Sequence, residues 1–378
     1  MDFAFTEEQQ MIRDTAESFL QDVSSSEAIR TAMATDAGYD VALWQQICQE
    51  LYFQAITIPE SLGGMGLGYV ELCAVMEQMG RFLLCAPYFS TVCQATTALL
   101  EAGDESQQAE YLTKVLEGAI ASLAYTSSNQ TGVDAVEAEF SLQDQTAVIN
   151  GQYRFVVDGH NADFVVAAAK DADNKIGLFV VPMSTAGIEV KWVPTMDQTR
   201  KQAELSFNNV KVEQDGILKL DAATELAKIL DLATICLAAE QMGGASEVLD
   251  ITVEYTKERV QFNRPVASFQ AVKHRAADMM TKAECAKSAV YYAACVAQDA
   301  FTGGELADEL AEAASIAKAN VSDAYFQNAG DAIQLHGGVG FTWEYDPHLY
   351  FKRAKASEHM LGNSAYHRER LAQMLLAE

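Results

Sequence analysis

Two stretches of the sequence decide the fold: "YTKERVQFNRPVASFQAVKHRAADM" at Tyr255–Met279 and "DAIQLHGGVGFTWEYDPHLYFKRA" at Asp331–Ala354. The first contains an R-x-x-F pattern followed by F-Q, and the second contains Q-x-x-G-G. Taken singly, a surface arginine or a glycine pair that breaks a helix carries little information. In this order and at this separation, the two patterns together are too specific to be a coincidence.

The sequence around these two stretches has the periodicity of long helices. Apolar residues recur at helical spacing from about 222 to 259, from about 268 through 301, and from about 306 towards 330 or beyond. Such helices are longer than the globular average, as is typical of a bundle. The sequence therefore predicts a helical C-terminal domain over residues 218–378.

Nearer the N-terminus, the pattern changes from helical to extended. Residues 1–117 have apolar residues at spacings of three and four, with a glycine-rich break at residues 56–68. Residues 118–217 are rich in β-branched and aromatic residues, and Asn150-Gly151 is a dipeptide typical of a tight hairpin turn. We expect an N-terminal helical domain, followed by a middle antiparallel β domain built as a small barrel or sandwich.

Composition limits the classes of partner. A net charge of -27 gives a surface that repels phosphate backbones and anionic lipid, so we expect neither a nucleic-acid partner nor a membrane partner. The acidic N-terminus lacks the basic start and apolar core of a signal peptide, and no apolar run reaches membrane-spanning length. The seven cysteines are scattered without a C-x-x-C pair. These features predict a cytoplasmic protein with reduced thiols and no metal site.

The order helical, β, helical, together with the two patterns, resembles the acyl-CoA dehydrogenase family along the whole chain. The resemblance implies an α+β fold that is mostly α, with an N-terminal helical domain, a middle β-barrel or sandwich domain and a C-terminal four-helix bundle. It also implies FAD at subunit interfaces, an acyl-CoA substrate, and an electron-transfer flavoprotein or a similar acceptor. The implied assembly is a homo-oligomer or a heterotetramer with a homologous subunit.

The resemblance assigns FAD contacts to residues of both deciding stretches. Arginine pairs with a diphosphate in fork geometry, and glycines let backbone amides approach phosphate. The family usually has a glycine after the phenylalanine, where this chain has Asn263. The matching positions are Arg259, Phe262 and Gln270 in one chain, and Gln334, Gly337 and Gly338 in the segment contributed by a neighbouring subunit.

The middle domain matches the family less closely. A Thr-Glu-Pro-Gly-like loop is usual there, and this chain keeps Thr126 and Ser127 without the acid or the proline. The aromatic residue that covers the flavin in the family aligns with Phe155. The threonine that bonds flavin N5 aligns with Val157, which has no side-chain donor. We expect Thr126 and Phe155 to contact FAD, with weaker binding or a differently tuned flavin face.

The catalytic base is the point at which the chain departs most from the family. Such a base removes the α proton of an acyl thioester while the β hydrogen leaves as hydride to the flavin. The usual glutamate aligns with Leu361, and the alternative position in the first long helix of the bundle aligns with Ala233. Neither residue can take a proton.

Glu240 is the candidate that could replace this base. It follows Ala233 by seven residues, so it returns to nearly the same helix face about 10 Å further along the axis. It is the only charged residue from Leu232 to Ser246. A lone carboxylate among apolar neighbours suits a general base. A buried structural acid that pairs with an arginine fits the same pattern equally well.

Three functions therefore fit the sequence. The first is an FAD-dependent acyl-CoA dehydrogenase that introduces an α,β double bond and uses a relocated base, Glu240. The second is a non-catalytic or half-site subunit of a heteromeric acyl-CoA dehydrogenase, favoured by the apolar residues at both usual base positions. The third is a flavin-dependent monooxygenase of the same fold, which needs no carboxylate base.

Overall fold

The computed structural model describes residues 5–128 and 130–377, and its first part is helical. Capping boxes begin two of these helices. Thr6 and Gln9 form a capping box at the first helix, and Asp104 and Gln107 form another at the sixth. The helices are α1 (Glu7–Val23), α2 (Ser26–Ala34), α3 (Val41–Gln49), α4 (Tyr69–Arg81), α5 (Thr97–Ala102) and α6 (Glu105–Leu116), and a buried π-helix at Phe89–Thr96 runs directly into α5.

The middle part is one mixed β-sheet. Its hydrogen-bonded order is β6-β7-β3-β2-β4-β5-β8, and β1 pairs with β4. Most pairings are antiparallel, as predicted, but β1 and β2 both run parallel to β4. The strands are β1 (Ala121–Ala124), β2 (Glu139–Gln143), β3 (Thr146–Val157), β4 (Phe164–Lys170), β5 (Ile176–Pro182), β6 (Ile188–Val193), β7 (Gln202–Val212) and β8 (Ile217–Leu220).

The hairpin turn predicted at Asn150-Gly151 is wrong. β3 continues through both residues, and Asn150 pairs with Glu139 of β2. The chain turns instead between Gln143 and Thr146. The dipeptide marks a register shift against β7, where Gly151 has a φ of 150°. Glycine therefore serves a bulge here and not a turn. Both features need a backbone conformation in which a side chain would be crowded, so the dipeptide fits either one.

The last part is helical again, close to the predicted bounds. Three long helices lead, and two shorter ones follow: α7 (Ala223–Glu258), α8 (Gln270–Thr302), α9 (Leu310–His336), α10 (Pro347–His359) and α11 (Ser364–Ala377). A two-stranded hairpin of β9 (Val260–Gln261) and β10 (Arg264–Pro265) joins α7 to α8. Within the described residues, no helix combines the length and the apolar character that crossing a bilayer requires.

The chain divides into two compact units. One comprises Met1–Thr31, Tyr69–Leu84 and Thr234–Glu378, and the other comprises Ala32–Gly68 and Cys85–Ala233. In the second unit the sheet buries an apolar cluster on one face, including Tyr153, Phe179 and Phe207. The elements change from helix to strand at Ala121 and back to helix at Ala223. The domain bounds near 117 and 217 remain predictions from the sequence.

Two glycines let α4 and α7 cross at very short range in the first unit. A Cβ added to Gly80 would lie 1.9 Å from the carbonyl oxygen of Glu240. A Cβ added to Gly243 would lie 1.8 Å from the carbonyl oxygen of Glu77. Because each glycine faces the backbone of the other helix, neither position has room for a side chain. The crossing therefore fixes the part of α7 that carries Glu240.

Candidate functional site

The hairpin after α7 carries the first predicted FAD segment. Phe262 and Asn263 connect its two strands with φ angles of 54° and 61°. Two successive residues with positive φ in a two-residue loop are the mark of a type I′ turn. Asparagine tolerates this region better than most residues, so Asn263 can stand where the family usually has glycine.

The side chains of this segment point away from the chain. Phe262 is 86% exposed. Arg259 is exposed, and among the described residues its guanidinium has no hydrogen bond or ion pair. Gln270 opens α8 and is also exposed, with its amide nitrogen 3.4 Å from His274 Nε2. An exposed arginine that pairs with none of the described residues fits a phosphate-binding role.

The second predicted FAD segment follows the last turn of α9. Gln334 is exposed in that turn, and Gly337 has φ 66° and ψ -141°, a conformation that strongly favours glycine. A Cβ built on Gly337 or on Gly338 would meet nothing within 4 Å. The backbone here is thus open to a group from outside the chain, which fits the close approach that a diphosphate needs.

An aromatic stack joins the helix ends from which the two segments extend. The Tyr255 ring lies on the His336 ring with 4.2 Å between centroids, and the Tyr255 hydroxyl donates to the His336 carbonyl over 3.3 Å. Burial lowers the pKa of His336, so its imidazole favours the neutral form. The last turns of α7 and α9 therefore lie side by side.

Thr126 and Phe155 lie together in the second unit. The backbone N–H of Arg154 donates to the Thr126 carbonyl over 2.8 Å. Phe155 has a φ of 57° at an irregularity in β3, and its ring is exposed. The Thr126 hydroxyl takes part in a local turn by accepting from the N–H of Ser128 over 3.2 Å. Val157 is buried and pairs with Gln202 of β7, and its carbonyl accepts from the Ser122 hydroxyl over 2.7 Å.

Neither residue that the sequence aligns with a base position of the family presents a proton acceptor. Leu361 is buried, with a φ of 56°, in the short connection between α10 and α11. Its carbonyl lies 2.9 Å from His367 Nε2. Ala233 is buried inside α7. Both residues pack rather than react.

Glu240 forms a buried ion pair. Its Oε1 accepts from Nη1 of Arg353 on α10 over 2.8 Å, and the two side chains are 3% and 2% exposed. A guanidinium at this distance stabilises the ionised carboxylate. The geometry thus matches the structural interpretation of Glu240, which the sequence left equal to that of a base. Arg353 lies 113 residues away in the chain, so spacing could not reveal the pair.

A second buried group was not predicted from the sequence. Lys318 of α9 is completely buried, and its ammonium donates to the Ser322 hydroxyl and to the carbonyls of Ser357 and Glu358. Ser322 also bonds the amide of Gln241, the residue next to Glu240. The signal available in the sequence was a single lysine among small apolar residues in "AASIAKANVSDA".

Metal chemistry has no geometric support in the described part of the chain. No three His, Cys, Asp or Glu side chains gather there into a set that could hold an ion. Five of the seven cysteines are buried, and none of the seven forms a disulfide. Burial raises the pKa of Cys48 to about 12, so that thiol is inert at neutral pH.

Comparisons with known proteins place the chain in a family. The acyl-CoA dehydrogenase N-terminal domain matches residues 6–119, and the acyl-CoA dehydrogenase C-terminal domain matches residues 225–376. The chain belongs to the acyl-CoA dehydrogenase family of flavoprotein oxidoreductases, which confirms the resemblance and the predicted fold class.

Three known proteins illustrate the similarity. Acyl-CoA dehydrogenase IpdE2 of Mycobacterium tuberculosis is 37% identical over 362 residues, covering 94% of this chain and 93% of that protein. Butyryl-CoA dehydrogenase from Megasphaera elsdenii superposes with a TM-score of 0.89 at 26% identity, over 100% of both chains. A chain of the ChsE4–ChsE5 complex from Mycobacterium tuberculosis superposes with a TM-score of 0.90 at 25% identity, also over 100% of both chains.

Proposed function

We propose that this chain is the half-site subunit of a heteromeric acyl-CoA dehydrogenase. It helps to hold FAD and acyl-CoA, and a homologous partner supplies the base that removes the α proton. The pair desaturates an acyl-CoA thioester between the α and β carbons and passes the electrons to an electron-transfer flavoprotein or a similar acceptor.

One observation carries this proposal: the only acid on the apolar stretch of α7 is committed to Arg353. A base must release and regain a proton during turnover, and a buried guanidinium opposes protonation of its partner. With Leu361 and Ala233 at the two usual positions, the chain has no free carboxylate at any position suggested by the family. A separate subunit is the simplest source of the base.

The residues of the two FAD segments fit a diphosphate cofactor. Arg259 is exposed and unpaired among the described residues, and the backbone at Gly337 and Gly338 is open. Arg259 would bind the diphosphate, Phe262 and Gln270 would line its adenosine side, and Gln334 with the two glycines would meet the cofactor of a neighbouring subunit. Thr126 and Phe155 would meet the flavin end. When bound, the flavin supplies hydride acceptance.

Assembly with a second chain is supported by apolar side chains that remain exposed in the first unit. Large exposed side chains near the FAD segments mark a surface that another subunit would cover. The similar chain from Mycobacterium tuberculosis was solved within a ChsE4–ChsE5 complex. The exposed residues are Val260, Phe262, Met280 and Phe341.

The test is reconstitution with any homologous chain that is encoded beside this one. Each chain is purified alone and the two are purified together, and flavin absorbance and dehydrogenation of an acyl-CoA panel are measured with a dye acceptor. We expect turnover from the complex and none from this chain alone. The partner's glutamate at the family's base position is then replaced with glutamine, which should lower turnover of the complex by at least about a hundredfold.

The matched control removes the carboxylate of this chain without leaving a buried cation. Replacing the ion pair with Glu240→Leu and Arg353→Met should leave the turnover of the complex within a few-fold of the unmodified complex. Full turnover by this chain alone, lost in the double variant, would instead show a self-sufficient dehydrogenase in which Glu240 acts as the base.

A further inference from the structure

We propose that Lys318 is a positioning residue for the connection between α10 and α11, and that its proton sets how firmly this connection is held. The connection comprises residues 360–363 and includes Leu361, the position at which the family usually carries its base. The effect on the loop itself is independent of catalysis, and only its consequence for turnover rests on the proposed function.

The Lys318 ammonium uses all of its hydrogen-bond donors. Lys318 Nζ lies 2.9 Å from the Ser357 carbonyl, 3.1 Å from the Glu358 carbonyl and 3.0 Å from the Ser322 hydroxyl. An ammonium has three donors, and all three are used. The two carbonyls belong to the last turn of α10, which has no intrahelical donors for its final carbonyls and carries the negative end of the helix dipole. Lys318 therefore acts as a C-terminal cap from another helix.

The connection after that cap has few backbone hydrogen bonds of its own. Leu361 and Gly362 both have positive φ, at 56° and 96°. The Leu361 carbonyl meets His367 of α11, and the Ser364 hydroxyl at the start of α11 bonds Asp323 of α9 over 2.7 Å. The Leu361 side chain is also buried, and Asn363 caps α11 by accepting from the Tyr366 N–H over 2.9 Å. The backbone at Leu361 itself is held by one cap before it and one imidazole after it.

No carboxylate forms an ion pair with Lys318 among the described residues. Glu358 of α10 and Asp323 of α9 favour its charged form from a distance, but Glu358 pairs with Lys355 and Asp323 pairs with Arg368 of α11. Glu240 of α7 is paired with Arg353 of α10. Burial and the nearby ammonium lower the pKa of His367 of α11 to about 3, so that ring is neutral over the working range.

Burial without a direct counter-ion makes the ammonium easy to deprotonate. Desolvation lowers the pKa of Lys318 from 10.5 to about 7. Below that pH the residue is charged, and its bonds to the two carbonyls are charge-assisted and strong. Above it, the neutral amine has two donors and one lone pair, so the Ser322 hydroxyl must donate to the amine instead of to Gln241. The cap weakens, and the bonding between α9 and α7 rearranges.

The experiment reads the loop directly through Met360. The protein is labelled with ¹³C at its methionine methyl groups, in the complex or as the lone chain, and the Met360 resonance is followed from pH 5.5 to 9. Every sample carries His359→Gln, because His359 is exposed beside Met360 and is a second ionisable group. We expect the Met360 resonance to titrate with a midpoint near pH 7.

The variants separate the cap from general charge effects. Lys318→Gln keeps two donors for the carbonyls but has no proton to lose, so the Met360 resonance should stay flat. Lys352→Gln removes a lysine of α10 whose ammonium lies over the Trp343 ring, so it leaves the Lys355–Glu358 pair intact and should leave the titration unchanged. A flat Met360 resonance in the protein with Lys318 intact overturns the proposal, even if Lys318→Gln does not fold. A titration that persists in Lys318→Gln overturns it as well.

Discussion

At the scale of single residues, the pairing of Glu240 decides how the chain is interpreted. The sequence singled out this residue because it is an isolated charge on an apolar helix. It could not show the partner, since Arg353 lies on α10 and reaches Glu240 only after the helices pack. Sequence periodicity predicts which face a residue occupies, but it does not predict which side chain of another element meets it there.

Breaking this pair should destabilise the protein more than it alters chemistry. Glu240→Gln leaves a buried guanidinium without its carboxylate, which typically lowers the free energy of unfolding by about 3–5 kcal/mol. The apolar double variant Glu240→Leu, Arg353→Met should recover most of that loss, because neither charge is then buried alone. Chemical denaturation measures both. Unchanged stability in Glu240→Gln, with turnover of the complex reduced a hundredfold, would identify Glu240 as a base.

At the scale of elements, the crossing of α4 and α7 depends on two glycines within helices. Gly80 and Gly243 each face a carbonyl of the opposite helix at a distance that no side chain allows. A helix interior normally disfavours glycine, because the residue loses conformational freedom and packs no side chain. The close crossing offsets that disadvantage by bringing two backbones into contact.

Gly243→Ala should therefore destabilise the protein although alanine favours helices. The added methyl would push α7 away from α4, a change that typically costs about 1–3 kcal/mol. Gly330→Ala is the matched control, because it also lies within a long helix and its added Cβ would meet only Phe351 at 4.0 Å. That change should be neutral or stabilising by about 0.5–1 kcal/mol. Equal effects of the two substitutions, measured by thermal unfolding, would contradict the crossing.

The elements also show what the sequence can and cannot predict. The bounds of α7, α8 and α9 follow from apolar periodicity. The observed starts, and the observed ends of α7 and α8, lie within four residues of the predicted ones. The parallel pairing of β1 with β4 did not follow, because it joins residues more than forty positions apart through the fold. Asn150-Gly151 misled for a related reason: a turn and a bulge require the same residues and differ only in which strands meet.

At the scale of the whole molecule, the two predicted FAD segments present exposed side chains and open backbone in the single chain. Arg259 and Phe262 project from one hairpin, and the glycine pair offers open backbone at the end of α9. The sequence predicts these positions from family patterns that are local in the chain, and their role in binding FAD stays a prediction. It could not predict the Tyr255–His336 stack, which places the last turn of α7 beside the last turn of α9.

Arg259→Gln should weaken FAD binding by the assembled protein about 10- to 100-fold. Loss of a hydrogen bond to a charged group is typically worth about 1.5–3 kcal/mol, which corresponds to that range. Lys257→Gln is the control, because Lys257 lies two residues before Arg259 and carries the same charge. Its ammonium is already paired with Glu254, so it should not be needed for the diphosphate. Flavin retention during dialysis measures the affinity, and light scattering shows whether assembly is intact. Equal loss in both variants would mean that Arg259 contributes only general charge.

The Phe262–Asn263 turn bears on how such chains are found in genomes. A search pattern that demands the letter glycine after the phenylalanine discards this chain, although its backbone already adopts the left-handed conformation that glycine usually provides. The trait worth searching for is tolerance of positive φ, which asparagine and aspartate share in part with glycine. A β-branched residue at this position would require a different turn, because it disfavours positive φ. Asparagine allows the same turn as glycine.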